Sequence, residues 1–173
     1  MDEPFDPIAE AHRQWVAHGW GGPQGRVADG MAAITSLTRV QAIYQQRIDE
    51  LLRPMGLTFA RYEILMLLSF SRAGALPLAA IGRRLQVHPT SVTSAVDRLE
   101  RQGFVEREDH PTDRRAKLAT LTEDGRAVAK AATAVLNDEV FAVPGLDPAD
   151  TRALIALLTK VRDASGDMVG DEA

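Results

Sequence analysis

LPLAAIGRRLQVHPTSVTSAVDRLERQGFVEREDHPTDRRAKLATL, residues 76–121, is the stretch whose reading decides the fold. Leu78, Ile81 and Leu85 recur at steps of three and four, which predicts a short helix. Gln86-Val87-His88 makes a tight turn, and Pro89 stands at the position where proline best opens a second helix. In that helix Val92, Val96 and Leu99 form one apolar stripe with Ala95 beside it. Gly103 ends it. Phe104-Val105-Glu106-Arg107 and Arg115-Ala116-Lys117-Leu118-Ala119-Thr120-Leu121 then predict two strands around a polar loop.

The face opposite the apolar stripe carries Thr90, Ser91, Thr93, Ser94, Asp97, Arg98 and Arg101. A plain surface helix favours Glu, Lys and Ala there, because Ser and Thr are poorer helix formers. Short hydroxyls at a helix start suit close approach to base edges and phosphates, and the helix dipole adds positive potential. The face therefore reads as a DNA-reading helix, with a well-capped surface helix as the other reading. Residues 109–115, DHPTDRR, form the loop between the strands. One of Arg114 and Arg115 can enter a minor groove while Asp113 holds the other. The alternative is a solvated hairpin turn with a structural ion pair.

Charge supports the first reading by its distribution rather than its sum. The net charge of the 173 residues is −4. Residues 83–117 hold eight Lys/Arg against six acids, a net of +2, so the remainder carries −6. A basic segment on an acidic body binds phosphate while the body discourages non-specific sticking. A mixed-charge solvated surface is the competing account. At 45% hydrophobic and 25% charged residues the composition is that of a globular chain. With no cysteine there is no disulfide, thiolate metal site or thiol switch, as expected of a cytoplasmic protein. No apolar run approaches a bilayer span, and MDEPFDP is unlike a signal peptide, so no membrane partner is expected.

Working outward, residues 1–24 predict an N-terminal arm with a short helix, capped by Asp6 with Pro7 at its first position. The arm holds both tryptophans, Trp15 and Trp20, which either pack the arm onto the body or line a small-molecule pocket. From about Gln24 to Arg53, apolar residues from Val27 to Leu51 keep mostly to helical spacing. Thirty residues make a helix about 45 Å long, more than a small core needs, so it is expected to pack on another subunit. Thr58 is placed to cap FARYEILMLLSFSR, whose Ile64–Leu68 centre should be buried, with Gly74 closing it. Thr122 caps a helix with an acidic first turn and an apolar side at Val128, Ala132, Val135 and Leu136. A last helix begins at Asp147-Pro148, with Leu154, Leu157, Leu158 and Val161 expected inward.

The helix-turn-helix from Leu78 to Gly103, its ending DRLERQGFVERE, and Asp113-x-Arg115 followed by Leu121-Thr122-x-x-Gly125 resemble the MarR-type transcriptional regulators. These motifs cover about a third of the chain, and the order of helices across residues 24–165 is also similar. The resemblance implies a mainly α fold with a small β-wing: a winged helix-turn-helix domain plus a helical dimerisation region. In those terms residues 57–121 are the DNA-binding domain, 25–56 and 122–165 the dimerisation region, and 166–173 a polar tail. It implies a homodimeric repressor that reads a palindromic operator in double-stranded DNA and is released by a small aromatic or anionic effector. Carried over residue by residue, it puts Thr90, Ser91, Thr93, Ser94 and Arg98 at the major groove and Arg114 or Arg115 in the minor groove. His88 and Lys117 would touch phosphate. Two recognition helices would then lie about one DNA turn apart, roughly 34–36 Å.

For the effector, the tryptophan-bearing arm is similar to the urate-responsive branch of that family. That branch pairs such a Trp with an Asp and an Arg where this chain has Glu63 and Ala95, so urate is not expected. The candidate pocket residues are Trp15, Trp20, Arg39, Arg61 and Tyr62, with a structural ion pair as the other reading of Arg61. No cofactor is expected. Four scattered histidines (His12, His18, His88, His110) show no firm metal-ligand spacing, and neither a phosphate-binding Gly loop nor a nucleophile elbow is present, so an enzyme is not expected. A winged helix used only for protein contact would favour apolar or aromatic anchors over the Ser/Thr face.

Overall fold

The computed structural model describes residues 5–109 and 117–167. Seven α-helices and three strands are set out there: α1 (Pro7–Ala17), α2 (Arg26–Leu52), α3 (Phe59–Phe70), β1 (Ala75–Pro77), α4 (Leu78–Leu85), α5 (Pro89–Arg101), β2 (Val105–Asp109), β3 (Lys117–Leu121), α6 (Glu123–Leu136) and α7 (Pro148–Ala164). The chain falls into two compact units, one ending at Arg47 and one beginning at Ile48.

In the first unit Asp6 caps α1, its carboxylate accepting from the amides of Ile8 and Ala9. Gly21 accepts from Val27 N at 2.9 Å, and a Cβ on it would lie 3.3 Å from Val16 Cγ2, so the turn between α1 and α2 is closely packed. His12 Nε2 and Asp29 Oδ1, 2.9 Å apart, tie the two helices. Trp15 and Trp20 meet edge to face, ring centres 5.4 Å apart, in the geometry that the ring quadrupoles favour. Trp20 nonetheless remains 59% exposed. Along α2, Val27, Ile34, Leu37, Val40 and Ile43 are exposed.

The second unit holds the larger core. Leu52, Ile64, Leu65, Leu68, Ile81, Val92, Val96, Leu99, Val105 and Leu136 are fully buried side chains. Each large aliphatic group so placed stabilises the fold by about 1.5–3 kcal/mol over an exposed one. The expected stripe on α5 is therefore the face that docks it. On α6 the buried line is Gly125, Ala129, Ala132 and Leu136, while Val128 and Val135 are only half-buried. Small residues win there because they let α6 approach α3 closely. The Tyr62 hydroxyl joins those helices, 3.1 Å from Thr133 Oγ1.

The sheet is antiparallel in the order β1-β3-β2. Val105 pairs with Leu121 and Asp109 with Lys117, while Ala75 pairs with Thr120 on the other edge of β3. Ala119 and Leu121 are buried while Leu118 and Thr120 between them are half-buried, the two-residue period of a strand with one face on the core. Lys117, on the buried face's line, lies at the exposed end. The sequence reading missed β1. Three residues ending in proline carry no local strand signal. Pro77 is tolerated on an edge strand, where no ladder donor is needed, and its fixed φ also starts α4.

Helix α7 departs from expectation. Asp147 caps it as read, with Oδ1 accepting from Ala149 and Asp150, but it has no buried residue. Leu154, Leu157 and Val161, expected inward, are exposed, as is Ile155, and Leu158 is only half-buried. Among the described residues nothing covers this apolar side of α7.

Candidate nucleic-acid interface

Helix α5 begins at a capped turn. Gln86 adopts the left-handed conformation (φ 54°) that closes α4, and His88 Nδ1 accepts from Thr90 N at 3.3 Å at the start of α5. Gly82, buried on α4, is where the two helices approach: a Cβ there would lie 3.4 Å from Val87 O and Val92 Cγ2. With Val92, Val96 and Leu99 inward, Thr90, Ser91, Thr93, Ser94 and Arg98 are exposed. Thr93 commits its hydroxyl proton to Pro89 O at 3.0 Å, which fixes its rotamer.

The exposed side of α5 forms one wall of an open groove of about 640 Å3, lined by Thr58, Arg61, Thr90, Ser91, Ser94, Ala95, Arg98 and Arg101. Three cations and no carboxylate line it. The two acids of α5 are engaged elsewhere. Arg107, on β2, is ion-paired with Asp97, donates Nη2 to Thr93 O at 3.2 Å, and places Nε 3.6 Å from Glu100. The groove keeps its positive character because an arginine behind the helix neutralises its acids. Arg107 was not singled out from the sequence, yet a signal existed: it shares the inward face of β2 with Val105, where an arginine needs a carboxylate partner.

The remaining candidates divide. Arg61, considered for an effector pocket, lines this groove instead, whereas its neighbour Tyr62 is buried toward α6. The two therefore do not converge on one pocket. Tyr62 does line a second, mostly apolar cleft of about 300 Å3 with Phe59, Glu63, Met66, Leu67, Phe70 and Leu85. Burial there pushes the Glu63 carboxyl above its ordinary value of 4.5. Trp15, Trp20 and Arg39 belong to the first unit. Lys117 is ion-paired with Asp109 across the strands, so its charge is partly satisfied. Arg114 and Arg115, with His110 and Asp113, lie outside the described residues.

Residues 57–117 match the family model described as the MarR family, a span that takes in every residue lining the groove. Among solved structures, Sco5413, a MarR family transcriptional regulator from Streptomyces coelicolor, is 46% identical with a TM-score of 0.75, over 82% of this chain and 99% of that one. The chain belongs to the MarR family.

Two further MarR-type comparisons bear on the groove. The curated repressor Rv2887 of Mycobacterium tuberculosis is 35% identical over 100 residues, 58% of this chain and 70% of the relative. Sco3205, a MarR family regulator from Streptomyces coelicolor solved in complex with DNA, is 25% identical with a TM-score of 0.67, over 82% of this chain and 89% of that one. The chain spans about half the length, 49%, of the Escherichia coli regulator PrsX that it also matches. The relatives named here are regulators of transcription, not enzymes, in keeping with the sequence expectation.

Proposed function

We propose that this chain is a sequence-specific DNA-binding transcriptional regulator, a homodimeric repressor that a small ligand releases from a palindromic operator. The observation that carries the reading is the groove beside α5. It combines hydroxyls and three arginines, two from α5 and Arg61 from α3, with no acid, beside a helix whose own carboxylates are neutralised from behind. Phosphate contact by such a face would fix register, and Ser and Thr close to the helix start would read base edges. Thr90, Ser91, Thr93, Ser94 and Arg98 are the residues for the major groove, and Arg114 or Arg115 for the minor groove. His88, exposed at the start of α5, would touch phosphate, and the exposed Lys117 would add a weaker contact.

The exposed apolar residues of α2 and of α7 support a helical dimerisation region at residues 25–56 and 122–165. Repression is supported by the naming of Rv2887 as a repressor, and DNA as partner by the Sco3205 complex. For the effector, the apolar cleft at Phe59, Tyr62 and Phe70 suits an aromatic group. Glu63 in its wall argues against an anion there, so of the two classes expected from the sequence an uncharged aromatic is preferred. Arg39 and the two tryptophans stay candidates for a pocket of their own.

The test is binding to the DNA upstream of the chain's own gene across a salt series. A steep, linear fall of log affinity with log salt, with scrambled duplex bound far more weakly, is expected. Equal affinity for scrambled DNA, or a flat salt response, overturns the reading.

A further inference from the structure

We propose that Arg61, on the helix that precedes the helix-turn-helix, joins Arg98 of α5 in seating a single phosphate of the DNA backbone. The inference rests on the DNA-binding reading and adds to it a contact from outside the recognition helix.

Three observations converge on Arg61. Thr58 occupies the cap position of α3, yet its hydroxyl does not cap the helix; it accepts Arg61 Nε at 3.2 Å instead. A cap is worth about 1 kcal/mol, so the chain forgoes it and the guanidinium gains a fixed orientation. Nothing else in the fold uses that orientation: among the described residues neither Arg61 nor Arg98 has a carboxylate partner. The second observation is proximity. Arg61 is pulled below the ordinary arginine range by burial and then by the positive charge of Arg98, so two like charges face one another without a counterion. An anion between them would relieve that repulsion, and a phosphate has oxygens enough to accept from both guanidinium forks.

The third observation is the shape of the space. The groove between them is open rather than closed, and Thr90, Ser91 and Ser94 line the same wall. A backbone strand can run through such a groove while bases meet the hydroxyls beside it. The uncapped first turn of α3 leaves its amides without a side-chain acceptor, adding donors on the same side. A free phosphate ion could answer the same chemistry, so the experiment has to separate an ion from a strand.

Fluorescence anisotropy with a labelled upstream duplex would compare the native chain with Arg61→Ala, Arg98→Ala and the double variant. Arg61→Gln serves as a second variant should Arg61→Ala fail to fold. Arg61→Ala is expected to weaken binding about tenfold at moderate salt, equally on operator and on scrambled duplex, and to reduce the salt slope by about one. If one phosphate is shared, the double variant loses less than the product of the single losses, by about twofold or more. A methylphosphonate, which removes one backbone charge, is then walked along the duplex. At one position it should lower native affinity to that of the double variant, cost Arg61→Ala less than it costs the native chain, and leave the double variant unaffected. An Arg61→Ala chain with native affinity and slope, or a walk in which no position couples to it, overturns the proposal while operator binding itself stands. Competition by millimolar inorganic phosphate, with no coupled position on DNA, assigns the pair to a free ion and also overturns it. Absence of any preference for operator in the native chain removes the underlying reading and this one with it.

Discussion

Arg107 on β2 is ion-paired with Asp97 on α5, and the same guanidinium donates to the carbonyl of Thr93. One side chain thus fastens the base of the wing to the helix and removes negative charge from beside the groove. Arg107 is three-quarters shielded and lies against protein rather than in the open groove, so its influence on DNA is exerted through its neighbours.

Replacing Arg107 by alanine should cost about 1–3 kcal/mol of stability, the range for losing charge-assisted hydrogen bonds. It should also weaken DNA binding about tenfold, because Asp97 and Glu100 would then face the phosphates unneutralised. Adding Asp97→Asn to that variant should restore part of the affinity without restoring the melting temperature. Were affinity and stability to move together in both variants, the electrostatic role would be lost and only the structural one kept.

Gly125 should tolerate no side chain. A Cβ there would lie 2.0 Å from Phe104 O and 2.9 Å from Leu121 Cδ1. Thr122 works on the same junction: its Oγ1 accepts from Gly125 N at 2.9 Å and donates to Gly103 O at 2.7 Å. Gly125→Ala is expected to destabilise by about 3 kcal/mol, the upper part of the overpacking range. Thr122→Ala should cost about 1 kcal/mol, largely recovered by serine. Urea titration monitored by circular dichroism measures both, and a Gly125→Ala chain of native stability would refute the packing argument.

Glu63 gives a pH signature. Its carboxyl is raised in the folded state by burial, so the folded chain holds that proton more tightly than the unfolded one. Folding is then favoured at low pH, and the contribution is lost as pH rises from the ordinary value of 4.5 through the folded one. Glu63→Gln should therefore raise the melting temperature at pH 7.5, with the gain shrinking as pH falls through the folded value toward 4.5 and absent below it. The lining residues of that cleft include no cation to offset the charge. A gain independent of pH would point to some cause other than ionisation.

Ile43 and Leu157 are each 58–59% exposed on helices rich in uncovered apolar groups. Sedimentation at micromolar concentration should give twice the 18.8 kDa chain mass. Leu157→Glu, alone or with Ile43→Glu, should shift the population toward single chains, since an ionised carboxylate buried in an apolar interface costs several kcal/mol. A native chain that sediments as a monomer removes the dimer from the proposed function.

The helix-turn-helix was legible because its information is local. Apolar period, Pro89 and Gly103 together define α5, and the Ser/Thr face is written along it. Three things were not local. The β1 strand exists only through pairing with residues more than forty positions away. The orientation of the Arg61 guanidinium is held by the Thr58 hydroxyl, which accepts from it instead of capping α3, and no spacing rule anticipates that. The exposure of α7 could not be read either, since an apolar period shows that a face wants cover but not whether the same chain provides it.

The pairing of β1 with β3 has one more consequence, in the order of folding events. Those strands close a chain loop that contains α4, α5 and β2, all of the described α5 wall and the turn before it. Closing a long loop costs entropy that is recovered only as its contents pack. The strands, the recognition helix and the base of the wing therefore have reason to form together as one cooperative unit. A chain caught partway would present no half-built reader to DNA, so the choice between bound and unbound is made by complete modules alone.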